Sequence, residues 1–246
     1  MKQKTLFVVG IGPGSYEDMT LRAVKVLSDC ELIVGYTRYC DLCEPYFPDK
    51  EFIRTPMTTE EERVGLALKN AAEGRKTALI SGGDPGVYGM AGLALHLGRD
   101  YPGVEVRVVP GVTAALSGAA LLGAPLVQDF CVISLSDRLT PWEVIEERLS
   151  HAAQAGLAVV LYNPESRGRK GYLKRACDIL LKYRNEAAVC GFTRNIGREG
   201  EECRVLSLKD LAEAKADMFT TVFIGSPSTK RVGEKMVAER GYEGEG

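Results

Sequence analysis

The sequence predicts an α/β protein built as two lobes. Short apolar runs alternate with amphipathic segments along nearly the whole chain. Glycine-rich turns follow several of those runs directly, as they do at strand ends in open α/β sheets. A length of 246 residues exceeds the commonest one-domain size and falls short of two large domains. Two compact lobes of roughly 110–130 residues each suit that length. The break at Gly123–Pro125 places the boundary, giving lobes 1–122 and 123–246.

The elements follow in order. Thr5–Gly10 is a β-rich run ending in glycines and reads as the first strand. Thr20–Asp29 reads as a helix with Leu21, Val24 and Leu27 on one stripe, and Glu31–Val34 as a second strand. Thr59 with Glu62 three residues on is a capping-box pattern that opens a helix reaching about Glu73. Thr77–Ser81 is a strand, Gly82–Gly86 a turn, Tyr88 to about Gly98 a helix, and Val104–Val109 a strand closed by Pro110–Gly111. Val112–Leu122 is small and apolar on every face, which predicts a buried helix. The second lobe begins with strand Phe130–Leu135, then a helix with Thr140 as N-cap and Pro141 in its first turn. Strand Leu157–Tyr162, a basic turn and helix Tyr172–Tyr183 follow. Strands near Ala187–Phe192, Cys203–Leu206 and Thr220–Gly225, without long helices between them, predict an antiparallel portion. Gly241–Gly246 reads as a frayed tail, and no internal repeat is visible.

Composition narrows the chemistry. A formal charge of −2 recruits neither nucleic acid nor an anionic membrane. The opening MKQKTLFVVGIGPG lacks a signal peptide's apolar stretch, and no run reaches the length of a membrane span. Seven cysteines, an odd number, read as reduced thiols in a cytoplasmic protein. Cys40 and Cys43 form one CxxC with no second pair at zinc spacing, so packing is preferred to a metal or redox role. The two histidines, His96 and His151, stand far apart, which disfavours an imidazole metal site or a Ser–His–Asp triad.

Five segments could carry chemistry. Gly10-Ile-Gly12-Pro13-Gly14 follows the first strand but departs from GxGxxG, with Ser15 at the third glycine position. Pro13 also removes an N–H that a phosphate would want. Ser81-Gly82-Gly83-Asp84-Pro85-Gly86-Val87-Tyr88-Gly89 dictates a special backbone path around one carboxylate that can accept from a ligand hydroxyl or amine. Pro110-Gly111-Val112-Thr113-Ala114-Ala115 is a third strand-to-helix turn, its small residues suited to tight helix packing or to a flat ligand. In an open α/β lobe these three turns could line one crevice. Ile133 to Trp142 sets Ser134, Ser136, Asp137 and Arg138 at another strand end, and Tyr162-Asn163-Pro164-Glu165-Ser166-Arg167-Gly168-Arg169-Lys170 adds cations suited to a polyanion or to a solvated turn.

GIGPG, GGDPGVYGMAG and PGVTA, in this order and spacing, resemble the tetrapyrrole methyltransferases of cobalamin biosynthesis over about residues 4–235. DFCVISLSDRLTPWEVIEERL and LYNPESRGR resemble the precorrin-3B or cobalt-precorrin-3 C17-methyltransferase branch. The resemblance implies a two-lobe homodimer with S-adenosylmethionine in a cleft between lobes, leaving S-adenosylhomocysteine as product. Carried over by position, it assigns Pro13, Gly82, Gly83, Asp84, Val87, Thr113, Ala114, Asn163 and Gly191 to the cofactor. Related enzymes often carry methionine where this chain has Asn163. The substrate would be a polycarboxylate tetrapyrrole, with Arg38, Arg138, Arg167, Arg169 and Arg194 as carboxylate clamps. Any cobalt would arrive inside the macrocycle, with no protein-bound metal. Methylation at carbon 17 with ring contraction would need proton transfers, for which Ser134, Ser136 and Asp137 are the candidates. Rival readings are an NAD-dependent dehydrogenase using Glu31 as the ribose acid, a tetrapyrrole carrier, and a sibling enzyme acting on another ring carbon.

Overall fold

A computed structural model describes residues 4–166, 168 and 170–240. The chain divides into two compact units, Met1–Thr113 and Ala114–Gly246.

The first unit is a five-stranded parallel sheet. Its strands are β1 (Lys4–Gly10), β2 (Leu32–Tyr36), β3 (Glu51–Thr55), β4 (Thr77–Ser81) and β5 (Val104–Val109), in the order β3-β2-β4-β1-β5. A sheet covered on both faces needs strands apolar on both, and β1, β2 and β4 supply them. Val9, Ile33, Ala78 and Ile80 pack under helices α1 (Leu21–Asp29) and α2 (Thr37–Cys43). Leu6, Val8, Leu32, Val34 and Leu79 pack under α3 (Glu60–Ala72) and α4 (Ala91–Leu97) on the opposite face. Each fully buried leucine or isoleucine contributes about 1.5–3 kcal/mol relative to exposure. Adjacent strands β1 and β4 thus continue into helices on opposite faces. A parallel sheet opens a crevice at the C-terminal ends of such a strand pair.

The second unit begins with α5 (Ala114–Leu122) and a short strand β6 (Gly123–Ala124). Its main sheet uses β7 (Phe130–Ser134), β8 (Ala158–Tyr162), β9 (Val189–Arg194), β10 (Glu202–Ser207) and β11 (Thr220–Ile224), ordered β10-β9-β11-β8-β7. β7 and β8 are parallel, whereas β11 runs antiparallel to both β8 and β9, and β10 antiparallel to β9. α6 (Trp142–Gln154), α7 (Tyr172–Leu180) and α8 (Leu208–Ala212) cover one face through Ile145, Leu149, Leu173 and Leu211. α5 covers the other face through Ala115, Ala119 and Leu122, against Val160 and Phe223. A hairpin of β12 (Thr229–Val232) and β13 (Lys235–Ala238) adds β6 as a parallel third strand.

Several expectations need correction. The division falls nine residues before the expected boundary, because α5 packs on the second sheet: a Cβ on Gly118 would lie 2.6 Å from Thr193 Oγ1 and 2.8 Å from Phe223. That helix is also not buried all round, since Leu116 is half exposed. The buried stripe of α1 is Ala23 and Leu27, while Leu21 faces solvent. Thr59 accepts no helix N–H; its hydroxyl donates to Pro56 O at 3.0 Å, so the capping box does not form. Pro141 rather than Thr140 holds the N-cap position of α6. α4 starts at Ala91 rather than Tyr88, whose φ of +52° is incompatible with a helix. Strands β3, β6, β12 and β13 and helices α2 and α8 were not anticipated.

Candidate active site

At the C-terminal ends of β1, β4 and β5 three turns distant in sequence meet. Gly12 and Gly83 exchange backbone hydrogen bonds: Gly83 N–H donates to Gly12 O at 2.7 Å and Gly12 N–H to Gly83 O at 3.2 Å. Both glycines have positive φ (+73° and +66°), which only glycine adopts at little cost. The third turn lies against them: a Cβ on Gly111 would stand 2.2 Å from Gly83 O, and one on Gly10 would stand 2.6 Å from Gly111 N. No side chain fits between these backbones.

Asp84 fastens the assembly. One carboxylate oxygen accepts from Gly86 N–H at 2.7 Å within its own turn. The other accepts from Gly111 N–H at 2.9 Å, twenty-seven residues away. Thr20, the N-cap of α1, accepts from Ala23 N–H and donates its hydroxyl to Pro110 O at 3.2 Å. Behind the turn, buried Arg63 donates to Thr55 Oγ1 (2.6 Å), Pro56 O (2.7 Å) and Met90 Sδ (3.4 Å), steadying the far end of the Gly82–Met90 segment. Pro13 is buried; Gly82, Gly83, Asp84, Val87 and Thr113 are partly exposed. The structure therefore brings together Pro13, Gly82, Gly83 and Asp84 with the Gly111–Thr113 turn. Glu31 stands elsewhere: it precedes β2 at the sheet's N-terminal edge, where its carboxylate accepts from Lys76 N–H at 2.9 Å. That location removes the ribose acid of a dinucleotide site.

In the second unit the C-terminal ends of β7 and β8 carry a separate polar cluster. Asn163 Nδ2 donates to Ser134 Oγ at 3.0 Å, and Ser136 N–H donates to the same oxygen at 3.2 Å. Two N–H donors thus converge on the Ser134 hydroxyl oxygen. Asn163 holds a φ of +53°, one of four left-handed non-glycine residues among those described. Strained backbone of this kind concentrates at functional sites. Next to it Ala115 N–H donates to the Tyr162 hydroxyl at 2.7 Å, fixing the start of α5, where partly exposed Ala114 lies. Asp137 Oδ2 accepts from the Tyr172 hydroxyl at 2.6 Å.

The remaining assignments separate from these clusters. Gly191 is buried within β9, where a Cβ would stand 2.8 Å from Leu122 and 2.9 Å from Met236 Sδ, so close packing already requires glycine there. Arg194, at the end of β9, pairs with Asp217 at 2.6 Å. Arg38 and Arg138 are exposed, and Arg167 and Arg169 lie outside the described residues. Tyr172 escaped the reading of the sequence, because a tyrosine at the start of a helix reads as core, and Tyr162 stood within a candidate segment without a role of its own.

Cys40 and Cys43 are fully buried on α2. Burial pushes their thiols up to about 11 and about 12, with Cys40 adding to the shift of Cys43. Reactive cysteines are shifted the other way. No group of three His, Cys, Asp or Glu side chains suited to a metal occurs among the described residues, and no helix there is long and apolar enough to cross a membrane.

The family model of the tetrapyrrole (corrin/porphyrin) methylases matches residues 5–212. The chain is 44% identical over 238 residues to a probable cobalt-factor III C(17)-methyltransferase of Salmonella typhimurium, covering 96% of this chain and 99% of that protein. It is 42% identical over 232 residues to a precorrin-3B C(17)-methyltransferase of a Sinorhizobium species, covering 93% and 91%. Its fold superposes on the crystal structure of the methyltransferase CobJ with a TM-score of 0.88 at 37% identity, over 95% of this chain and 99% of that one. The chain belongs to the tetrapyrrole (corrin/porphyrin) methylases.

Proposed function

We propose that this protein methylates ring carbon 17 of cobalt-factor III or its metal-free counterpart during cobalamin biosynthesis, with contraction of the macrocycle. The observation that carries the reading is the three-turn assembly locked by Asp84, at the crevice where the parallel sheet's helices diverge. Full-length relatives named for that reaction support it. The donor set fits S-adenosylmethionine: glycine-turn carbonyl and N–H groups and a carboxylate suit ribose hydroxyls and an α-ammonium group. Pro13, Gly82, Gly83, Asp84, Val87, Thr113, Ala114, Asn163 and Gly191 are the residues assigned to it, Gly191 acting through packing.

When bound, S-adenosylmethionine supplies a methyl already activated by its sulfonium. This chain's residues are therefore left with alignment, which can account for roughly 7–11 kcal/mol of barrier lowering. The glycine turns fix the cofactor site without side-chain freedom. Ser134, Ser136 and Asp137 carry the proton transfers of ring contraction, with Asp137 as the base. Arg38, Arg138, Arg167, Arg169 and Arg194 hold the substrate's carboxylates. The reading includes a cytoplasmic homodimer. Incubating the protein with S-adenosylmethionine and cobalt-factor III, beside the metal-free form, tests it by mass spectrometry. A gain of one methyl on one of them is expected; binding of both without any gain overturns the reading in favour of a carrier.

A further inference from the structure

The Asp137 carboxylate is held by a residue from a different element. Tyr172 opens α7, and its hydroxyl donates to Asp137 Oδ2 at 2.6 Å. The ring that carries this hydroxyl is held by an aromatic neighbour. It packs edge-on against Trp142, with centroids 4.9 Å apart and planes at 70°. Trp142 is itself buried, donates Nε1–H to Glu146 at 3.2 Å, and carries the Arg175 guanidinium over its ring at 4.3 Å. The backbone entering α7 is tied as well, since Gly171 N–H donates to Glu165 Oε1 at 3.0 Å. Asp137 lies three residues beyond Ser134, at the strand end that also holds Asn163. The Tyr172 hydroxyl thus engages one of the two Asp137 carboxylate oxygens, Oδ2.

We infer that Tyr172 is a positioning residue whose phenol fixes Asp137 Oδ2 and so presents Oδ1 as the oxygen that takes a proton from the substrate. The inference rests on the methyltransferase reading and deepens it by naming what orients its base. In that step an X–H bond of the substrate breaks, its electron pair stays on the substrate, and the proton ends on Oδ1. Asp137 becomes a neutral acid while Tyr172 keeps its own proton. A carboxylate free to rotate would present either oxygen in many directions; a fixed one keeps a single orientation, which is what catalytic geometry demands.

The test is a double-mutant cycle on the full chain with Tyr172→Phe, Asp137→Asn and the double variant, following product formation from the tetrapyrrole. Tyr172→Phe should lower kcat about tenfold and Asp137→Asn about 10²–10⁴-fold, the range of general-base loss. KM for both substrates should stay within about twofold in Tyr172→Phe, and the double variant should be no slower than Asp137→Asn, because residues acting as a unit are not additive. Full kcat in Tyr172→Phe, or losses that multiply in the double variant, would overturn the inference while leaving the methyltransferase reading intact. A wild type that transfers no methyl group ends both. Thermal melting of each variant separates lost activity from lost fold: Tyr172→Phe keeps the ring, and a melting point equal to wild type with lowered kcat supports positioning.

Discussion

Asp84 shows how one side chain can specify a site. Its two oxygens accept the Gly86 and Gly111 N–H groups, from two separate turns, so the carboxylate sets the spacing of the three-turn assembly before any ligand arrives. Replacing it by alanine leaves the exposed Gly86 and half-buried Gly111 N–H groups without their acceptor, a loss of about 1 kcal/mol for a typical hydrogen bond. Asp84→Ala is therefore expected to stay folded with a lowered melting temperature and to bind S-adenosylmethionine at least about tenfold more weakly, about 1.4 kcal/mol, by calorimetric titration. Unchanged affinity would remove Asp84 from the site. The residue types were legible here: three glycine turns after three strands, with one acid among them, pointed to a shared crevice. The pairing of Gly12 with Gly83 was not legible, because it depends on β1 and β4 being neighbours, a property of strand order rather than of either segment. Tyr172 was hidden for a related reason, since its partner Asp137 lies thirty-five residues away.

At the scale of elements, the apolar strands β4, β8 and β11 stood out, being buried along nearly their whole length, and β1 is buried toward its C-terminal end. β3 reads EFIRT and is exposed at its first and fourth positions, so its pattern resembles a charged loop. β12 is exposed over Lys230–Val232, and the TKRV–KMVA hairpin carries too little apolar sequence to announce itself. Capping patterns misled at both places where the sequence offered them, Thr59 and Thr140, while Thr20, read as the first helical residue, is itself an N-cap. Thr20 accepts from Ala23 N–H, whereas Thr59 turns its hydroxyl to Pro56 O. Thr20→Ala should accordingly cost about 1 kcal/mol, the usual value of an N-cap. It also removes the tie to Pro110 O, whereas Thr59→Ala should cost no more than about half as much. Urea unfolding of both variants checks this; equal losses would contradict the assignment of the cap.

Across the whole molecule, buried thiols set an alkaline limit to stability. Burial pushes Cys30, Cys43 and Cys177 up to about 12 and Cys40 to about 11, and raises Cys190 as well. An unfolded thiol ionises near its ordinary value of 9.0, so the contribution of each is complete below that pH and declines as pH rises toward the folded value. Stability should fall above pH 9 by about 1.4 kcal/mol per pH unit for each such thiol, measured by denaturant titration at pH 8 and pH 10. Cys→Ser or Cys→Ala replacement at Cys40 and Cys43 should flatten that limb; a limb unchanged in slope would deny the thiols their part. The same burial explains why the CxxC motif in this chain serves packing.

The fate of one methyl group decides between the proposed reaction and its rivals. The most direct measurement is NMR of the tetrapyrrole product formed with S-adenosylmethionine carrying a ¹³C-labelled methyl. A single enriched methyl on ring carbon 17 is the predicted result. Label on a different ring carbon, or a bound tetrapyrrole that acquires no label, would contradict it.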